Sequence, residues 1–226
     1  MNGSAHGQDA FVIQLLRGMR GGYFLDTGAF DGVTGSNTLT LERDYGWSGL
    51  CVEPNDREYA RLVRNRRCAT AHCCIYTHDG EADFIEAGML GGVARDYHPD
   101  LLALARQVYD LPEEESGAIA TRIKPTKTPA TLLREAGAPA TIDYWSLDTE
   151  GSELAILQAF PFDVYAVRVL TVEHNHFPVR ADIHAFLASR GFDRIASLHV
   201  DDCYVRGVEA PSTWNSWALR AMRSAP

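Results

Sequence analysis

The chain has 226 residues, 46% hydrophobic and 23% charged, and carries a formal net charge of −9. That length and composition belong to a folded chain able to bury a sizeable core. The acidic balance excludes nucleic acid as an expected partner, because no basic stripe answers phosphate charge. No apolar run approaches the ~20 residues of a membrane-spanning helix.

In chain order, helical periodicity is expected over residues 9–19 and a strand over 23–26, whose apolar Tyr23, Phe24 and Leu25 deliver Asp26 to a turn. A helix at 36–45 leads to a second strand at 49–52, which ends in Glu53. The helix at 56–65 has Asp56 as its expected N-cap. Residues 69–75 read as strand three and 82–86 as a short extra strand. A helix at 128–136 carries Pro129 in its first turn. Strands follow at 142–148, 166–173 and 192–197, with a helix at 181–190, and Glu150 and Glu153 lie at the start of another helix. Residues 202–205 are expected to add an antiparallel strand. This alternation predicts a mostly parallel α/β sheet in one domain over 1–226.

Residues 88–127 break the rhythm with Gly91-Gly92, an amphipathic 99–109, the run Glu113-Glu114-Glu115 and Gly117. An excursion of this length is either a lid that binds the acceptor or a helical decoration on the sheet; the triple Glu reads as a solvated face. Arg64, Arg66 and Arg67 are expected to cap a helix end and solvate a surface. Cys51, Cys68, Cys73, Cys74 and Cys203 show no metal-finger spacing and read as reduced core thiols of a cytoplasmic protein. The opening Met1-Asn2-Gly3-Ser4-Ala5-His6-Gly7 has neither the charged nor the apolar region of a signal peptide.

The turn Asp26-Thr27-Gly28-Ala29-Phe30-Asp31-Gly32 departs from the dinucleotide pattern G-x-G-x-x-G and lacks a P-loop lysine. Its carboxylates repel a diphosphate but suit a ligand bearing an ammonium and a sulfonium, as S-adenosylmethionine does. Glu53, at the tip of the next strand, is placed to accept both ribose hydroxyls. An ordinary glycine-rich turn capped by Asp31 is the plainer alternative.

Asp31-Gly32-Val33-Thr34-Gly35-Ser36-Asn37-Thr38 and Gly46-Trp47-Ser48-Gly49-Leu50-Cys51-Val52-Glu53-Pro54 resemble the FkbM-type branch of S-adenosylmethionine-dependent methyltransferases. So do Ile142-Asp143-Tyr144-Trp145-Ser146-Leu147-Asp148-Thr149-Glu150-Gly151-Ser152-Glu153-Leu154 and Val172-Glu173-His174-Asn175, and the likeness covers most of the chain. The resemblance implies a class I methyltransferase fold, Rossmann-like, with one antiparallel strand and helices on both faces. It implies methylation of oxygen on a sugar or other small natural product. The expected cofactor set is Asp26, Gly28, Ala29, Asp31, Gly32, Ser36, Asn37, Glu53 and Pro54. Within it, Ser36 and Asn37 either touch the methionine carboxylate or cap the helix.

Chemistry is expected at the carboxyl ends of the middle strands, with Asp148, Glu173 and His174 as the catalytic candidates. His174 or Asp148 serves as base for an acceptor hydroxyl. Asp148, Glu173 and Asn175 also resemble the divalent-metal ligands of catechol-type O-methyltransferases and suit Mg²⁺; hydrogen bonding to the acceptor or to the cofactor's amino group is the other reading. Glu150 either faces the site or does not, and Glu153 is expected to favour the helix dipole. Trp47 and Trp145 read as core, and His72, His78, His98, His184 and His199 receive no role. Trp214 and Trp217 are candidates for a contact between copies. Competing functions are a binding module without turnover, a nicotinamide-linked oxidoreductase, and a methyltransferase acting on nitrogen or carboxylate.

Overall fold

A computed structural model describes residues 3–113 and 119–207. Glu114, Glu115, Gly117, Trp214 and Trp217 lie outside the described residues. Helix α1 (Gln8–Leu15) precedes β1 (Tyr23–Thr27), α2 (Leu39–Tyr45), β2 (Ser48–Val52), α3 (Asp56–Asn65) and β3 (Ala69–Ala71). Then come β4 (Cys74–Ile75), β5 (Gly80–Ile85), a 3₁₀ turn (Gly88–Leu90), β6 (Gly92–Val93), α4 (Pro99–Val108) and β7 (Arg122–Lys127). The second half holds α5 (Pro129–Glu135), β8 (Thr141–Leu147), α6 (Glu153–Ala159), β9 (Ala166–Glu173), α7 (Val179–Ser189), β10 (Asp193–Leu198) and β11 (Asp201–Val205).

Seven strands form one sheet in the order β10-β11-β9-β8-β1-β2-β3. The pairs from β9 to β3 are parallel, and β11 runs antiparallel to both neighbours. Strand alternation splits the apolar side chains between two cores. Leu25, Leu50, Val52, Trp145, Leu147 and Val172 pack with α5, α6 and α7 on one face, while Phe24, Cys51, Tyr144 and Val169 pack with α1, α2 and α3 on the other. Helices therefore cover both faces, and Trp145 and Trp47 are core residues. The five cysteines are free thiols, and all but Cys68 are buried.

Four differences from the sequence expectation have physical causes. Helix α3 is capped by Asn55, whose side chain accepts from the Arg57 and Glu58 amides, leaving Asp56 to bind Lys124 at 2.7 Å. Residues 69–75 form two strands in different sheets, since a period-two pattern does not say which sheet a strand joins: β3 edges the large sheet, whereas β4 belongs to a four-stranded sheet in the order β4-β7-β5-β6. Strand β7 carries no strand pattern in the sequence, since it contains Pro125 and buries polar Lys124 and Thr126; Lys124 is held by Asp56 and Glu86 at 2.7 and 2.6 Å. Finally, Arg66 does not solvate a surface. Its side chain is fully buried and binds Glu42 at 2.7 Å, Thr38 at 2.9 Å and Ser36 at 3.2 Å.

Candidate functional site

The tips of β2, β1, β8 and β9 stand side by side, placing Glu53, Gly28, Asp148 and Glu173 along one edge. Because β11 is antiparallel, it begins where β9 ends, and Asp201 stands opposite Glu173. At ~4.8 Å per strand, Glu53 and Glu173 are separated by roughly 14 Å. Between them opens a cavity of about 250 Å³.

Asp26, Gly28, Ala29, Ser36, Asn37, Glu53 and Pro54 line that cavity. Asp26 accepts from the Thr38 hydroxyl at 2.5 Å and lies 3.9 Å from Arg66. Burial raises its carboxyl above the ordinary range against the pull of both partners. Glu53 accepts from the Phe30 amide at 2.8 Å and the Asn55 amide at 2.7 Å; burial lifts it to about 7 even so. Ser36 accepts from the Thr38 and Leu39 amides in the turn ahead of α2, which begins at Leu39 after the N-cap Thr38. Asn37 donates through Nδ2 to the Ser146 hydroxyl at 2.9 Å, and its buried Oδ1 has no hydrogen-bond partner.

Gly28 has φ +86°, and a Cβ there would stand 1.7 Å from the Asp148 carbonyl oxygen. Only glycine lets these two strand tips meet. Asp31 and Gly32, expected at the cofactor, are not among the residues lining the cavity and instead build its loop. Asp31 accepts from the Val33 amide, the Thr34 amide and the Thr34 hydroxyl. Burial works to raise its carboxyl, and those hydrogen bonds outweigh it and hold it low. Gly32 yields its space to Leu62 and Arg66, which would meet a Cβ at 2.6 and 2.7 Å.

At the other end, carboxylate oxygens of Asp148, Glu150 and Glu173 lie within 4.8 Å of one another, and all three line the cavity with Asp201. Burial and neighbouring carboxylates push Asp148 and Glu173 well up, and burial with the charge of Glu153 lifts Glu150 to about 8. Burial lifts Asp201 to about 6, opposed by the Gln8 amide that donates to it at 2.8 Å. Glu150 holds a left-handed backbone, φ +58°, a costly state for a residue with a Cβ. Asn175 turns its Nδ2 toward Glu150 Oε2 at 3.1 Å. The set that converges is therefore Asp148, Glu150 and Glu173, and Asn175 offers it a donor. Glu153 closes the loop before α6, accepting from Thr149 and Gly151.

His174 does not join this site. It follows Glu173, the last residue of β9, and is not among the residues lining the cavity. Its Nδ1 accepts from the His176 amide at 2.9 Å, and Nε2 lies 3.7 Å from Asp202. Burial pulls its pKa down to about 4, so the ring is neutral at pH 7.

Sequence reasoning missed His6, Gln8 and Asp201, which line the cavity from far apart in the chain. Asp201 was within reach: antiparallel pairing of 202–205 with the 166–173 strand would have brought the preceding acid to Glu173. The inserted segment contributes Met89, Leu90 and Val93, beside Phe84 of β5. It is clipped to the β8–α6 loop by Asp96, which accepts from Tyr76 at 2.9 Å and Ser152 at 3.1 Å.

A seven-stranded sheet with helices on both faces, one antiparallel strand between β9 and β10, and acids at the β1, β2, β8 and β9 tips is the class I methyltransferase architecture. The pattern described as methyltransferase FkbM domain matches residues 26–194, and the chain belongs to that family. Among solved structures, it is 11% identical to precorrin-6y C5,15-methyltransferase from Geobacter metallireducens GS-15, covering 87% of this chain and 85% of that one at TM-score 0.45. A delta-N METTL16 methyltransferase domain gives 12% identity, 87% and 78% coverage and TM-score 0.39. The hMettl16 catalytic domain in complex with MAT2A 3'UTR hairpin 6 gives 11%, 90% and 71%, with TM-score 0.42. A search of curated proteins found no match. Among the described residues, no helix is long and apolar enough to cross a membrane.

Proposed function

We propose that this chain methylates a hydroxyl group of a small molecule, using S-adenosylmethionine as donor. The observation that carries the reading is the acidic lining of the cavity. Six carboxylates line it (Asp26, Glu53, Asp148, Glu150, Glu173 and Asp201), with no lysine or arginine among the described lining residues. Such a wall offers a pyrophosphate no countercharge, whereas a sulfonium and an ammonium would draw its raised acids into their charged form. The partnerless Oδ1 of Asn37 suits an N–H donor, so Asn37 and Asp26 would hold the methionine ammonium and Glu53 the ribose hydroxyls. The cofactor, when bound, supplies a methyl group already activated by positive sulfur.

The chain's own work is to align the acceptor and take its proton, alignment being the larger share. Glu150, lifted to about 8, is matched to accept a proton near neutrality, and Asp148 and Glu173 flank it. The same acids favour a neutral or cationic acceptor over a phosphorylated one. Residues 88–127 serve in this reading as the acceptor-binding insert, reaching the cavity through Met89 and Leu90. Calorimetry with adenosylhomocysteine tests the cofactor: binding is expected with the wild type and weakened by Glu53→Gln, whereas absence of heat, or preference for a nicotinamide dinucleotide, refutes the reading. An acceptor screen with methyl-labelled S-adenosylmethionine then separates O- from N- or carboxyl-methylation, and a protein that binds but transfers to nothing is a binding module.

A second reading is favoured by the convergence of Asp148, Glu150 and Glu173. Three hard oxygen donors suit Mg²⁺ or Ca²⁺, and such an ion would lower the pKa of the acceptor hydroxyl. Loss of turnover in EDTA with recovery on adding Mg²⁺ would establish it; indifference to both would end it.

A further inference from the structure

Residues 4–8 run along the solvent-exposed rim of the cavity between two loops that β8 and β9 otherwise keep apart. On one side Ala5 lies against the β1–α2 loop, 3.9 Å from where a Gly35 Cβ would stand, and Asp9 accepts from Thr40 on α2 at 2.8 Å. On the other side, the His6 ring stacks on His199 in the β10–β11 turn, with centroids 4.3 Å apart and planes 17° from parallel. Ala5, His6 and Gln8 all line the cavity. These residues, with His199 and Asp201, lie outside residues 26–194, which the family pattern matches.

The crossing has one fixed end and one releasable end. Gln8 is buried, accepts from the His6 amide at 3.1 Å and donates to buried Asp201 at 2.8 Å, so it stays with the body of the protein. Next to it Gly7 adopts φ +83°, with nothing within 4 Å of the position of a Cβ, an unobstructed pivot that glycine occupies at little cost. Beyond the pivot, Ala5 and His6 are exposed on their outer side. They are held by the ring stack, by the His6 amide donating to Gln8 and by the Ser4 hydroxyl donating to Asp9 at 2.6 Å. Burial and the neighbouring His199 keep His6 below its ordinary pKa, so it meets its partner as a neutral ring at pH 7.

We propose that residues 4–6 are a latch over the ligand cavity, hinged at Gly7 and closed by the His6–His199 stack, and that its opening sets the rate at which adenosylhomocysteine enters and leaves. This rests on the assignment of the cavity to that cofactor.

Stopped-flow binding of adenosylhomocysteine to the full chain tests it, comparing wild type with His6→Ala, His199→Asn and the double variant. Asparagine is chosen because His199 holds φ +58°, which asparagine tolerates. Each single variant is expected to raise the association and dissociation rates together, roughly two- to tenfold, the range an aromatic pair contributes, with Kd moving less than about twofold. The double variant should match the singles, since either substitution opens the same latch. Wild-type rates in both single variants, or effects that multiply in the double, would overturn the latch while leaving the cofactor assignment standing. Failure of the wild type to bind adenosylhomocysteine at all would overturn both.

Discussion

Replacing Gly28 by alanine tests the contact on which the geometry of the site depends. The backbone at Gly28 holds φ +86°, and the added methyl would stand 1.7 Å from the Asp148 carbonyl oxygen and 2.9 Å from its carbonyl carbon. A left-handed residue with a Cβ costs about 1–2 kcal/mol, and forcing a methyl against packed backbone costs about 1–3 kcal/mol more. The sum, about 2–5 kcal/mol, lowers the melting temperature by roughly 4–20 °C at 2–4 °C per kcal/mol for a chain of this size. Gly46 provides the control: φ is +69° and nothing lies within 4 Å of its Cβ position, so Gly46→Ala should cost only the backbone share. The two tips are also joined by the Asp148 amide donating to the Thr27 carbonyl at 3.1 Å, so parting them displaces Asp148 from Glu150 and Glu173. Thermal unfolding followed by adenosylhomocysteine calorimetry is the assay. If Gly28→Ala melts with Gly46→Ala and binds as the wild type does, the close approach of β1 to β8 is not what sets the site.

Other expectations follow from the same geometry. Glu53→Gln should weaken adenosylhomocysteine about 10- to 100-fold, the worth of hydrogen bonds to a charged acceptor, read by calorimetry; unchanged affinity would remove Glu53 from the ribose. His174→Gln should leave that affinity within about twofold and turnover near wild type, whereas Glu173→Gln should depress turnover; the reverse pattern would restore the histidine as base. Glu53 moves from 4.5 to about 7 on folding and Glu150 from 4.5 to about 8, so the folded state binds more protons than the unfolded one between those values. Their contribution is thus fully present below pH 4.5 and lost as pH rises through about 7 and 8, on the order of 3 kcal/mol for Glu53. Urea titrations of the ligand-free protein across this window should show the decline, flattened in Glu53→Gln and Glu150→Gln. A stability that climbs steadily over the same range would contradict the burial of these acids.

The local sequence determined the strand-and-helix alternation, the glycine turn after β1 and the acids ending β2, β8 and β9, because each depends on a short-range pattern. Period-two apolar runs read as strands, and a turn needing positive φ reads as glycine. It could not show which side of a sheet a side chain faces beyond the last paired residue. Glu173 and His174, adjacent in the chain, both read as catalytic candidates, and only Glu173, the last residue of β9, lines the cavity. Nor did it reveal β7, whose buried Lys124 is made tolerable by Asp56, 68 positions away. Arg66, which looked solvated, is sealed in by Glu42, Thr38 and Ser36. Only the tertiary structure joined Gln8 to Asp201 across 193 positions. Sheet order and antiparallel insertion decide contacts of that kind, and they arise from pairing and burial over the whole chain.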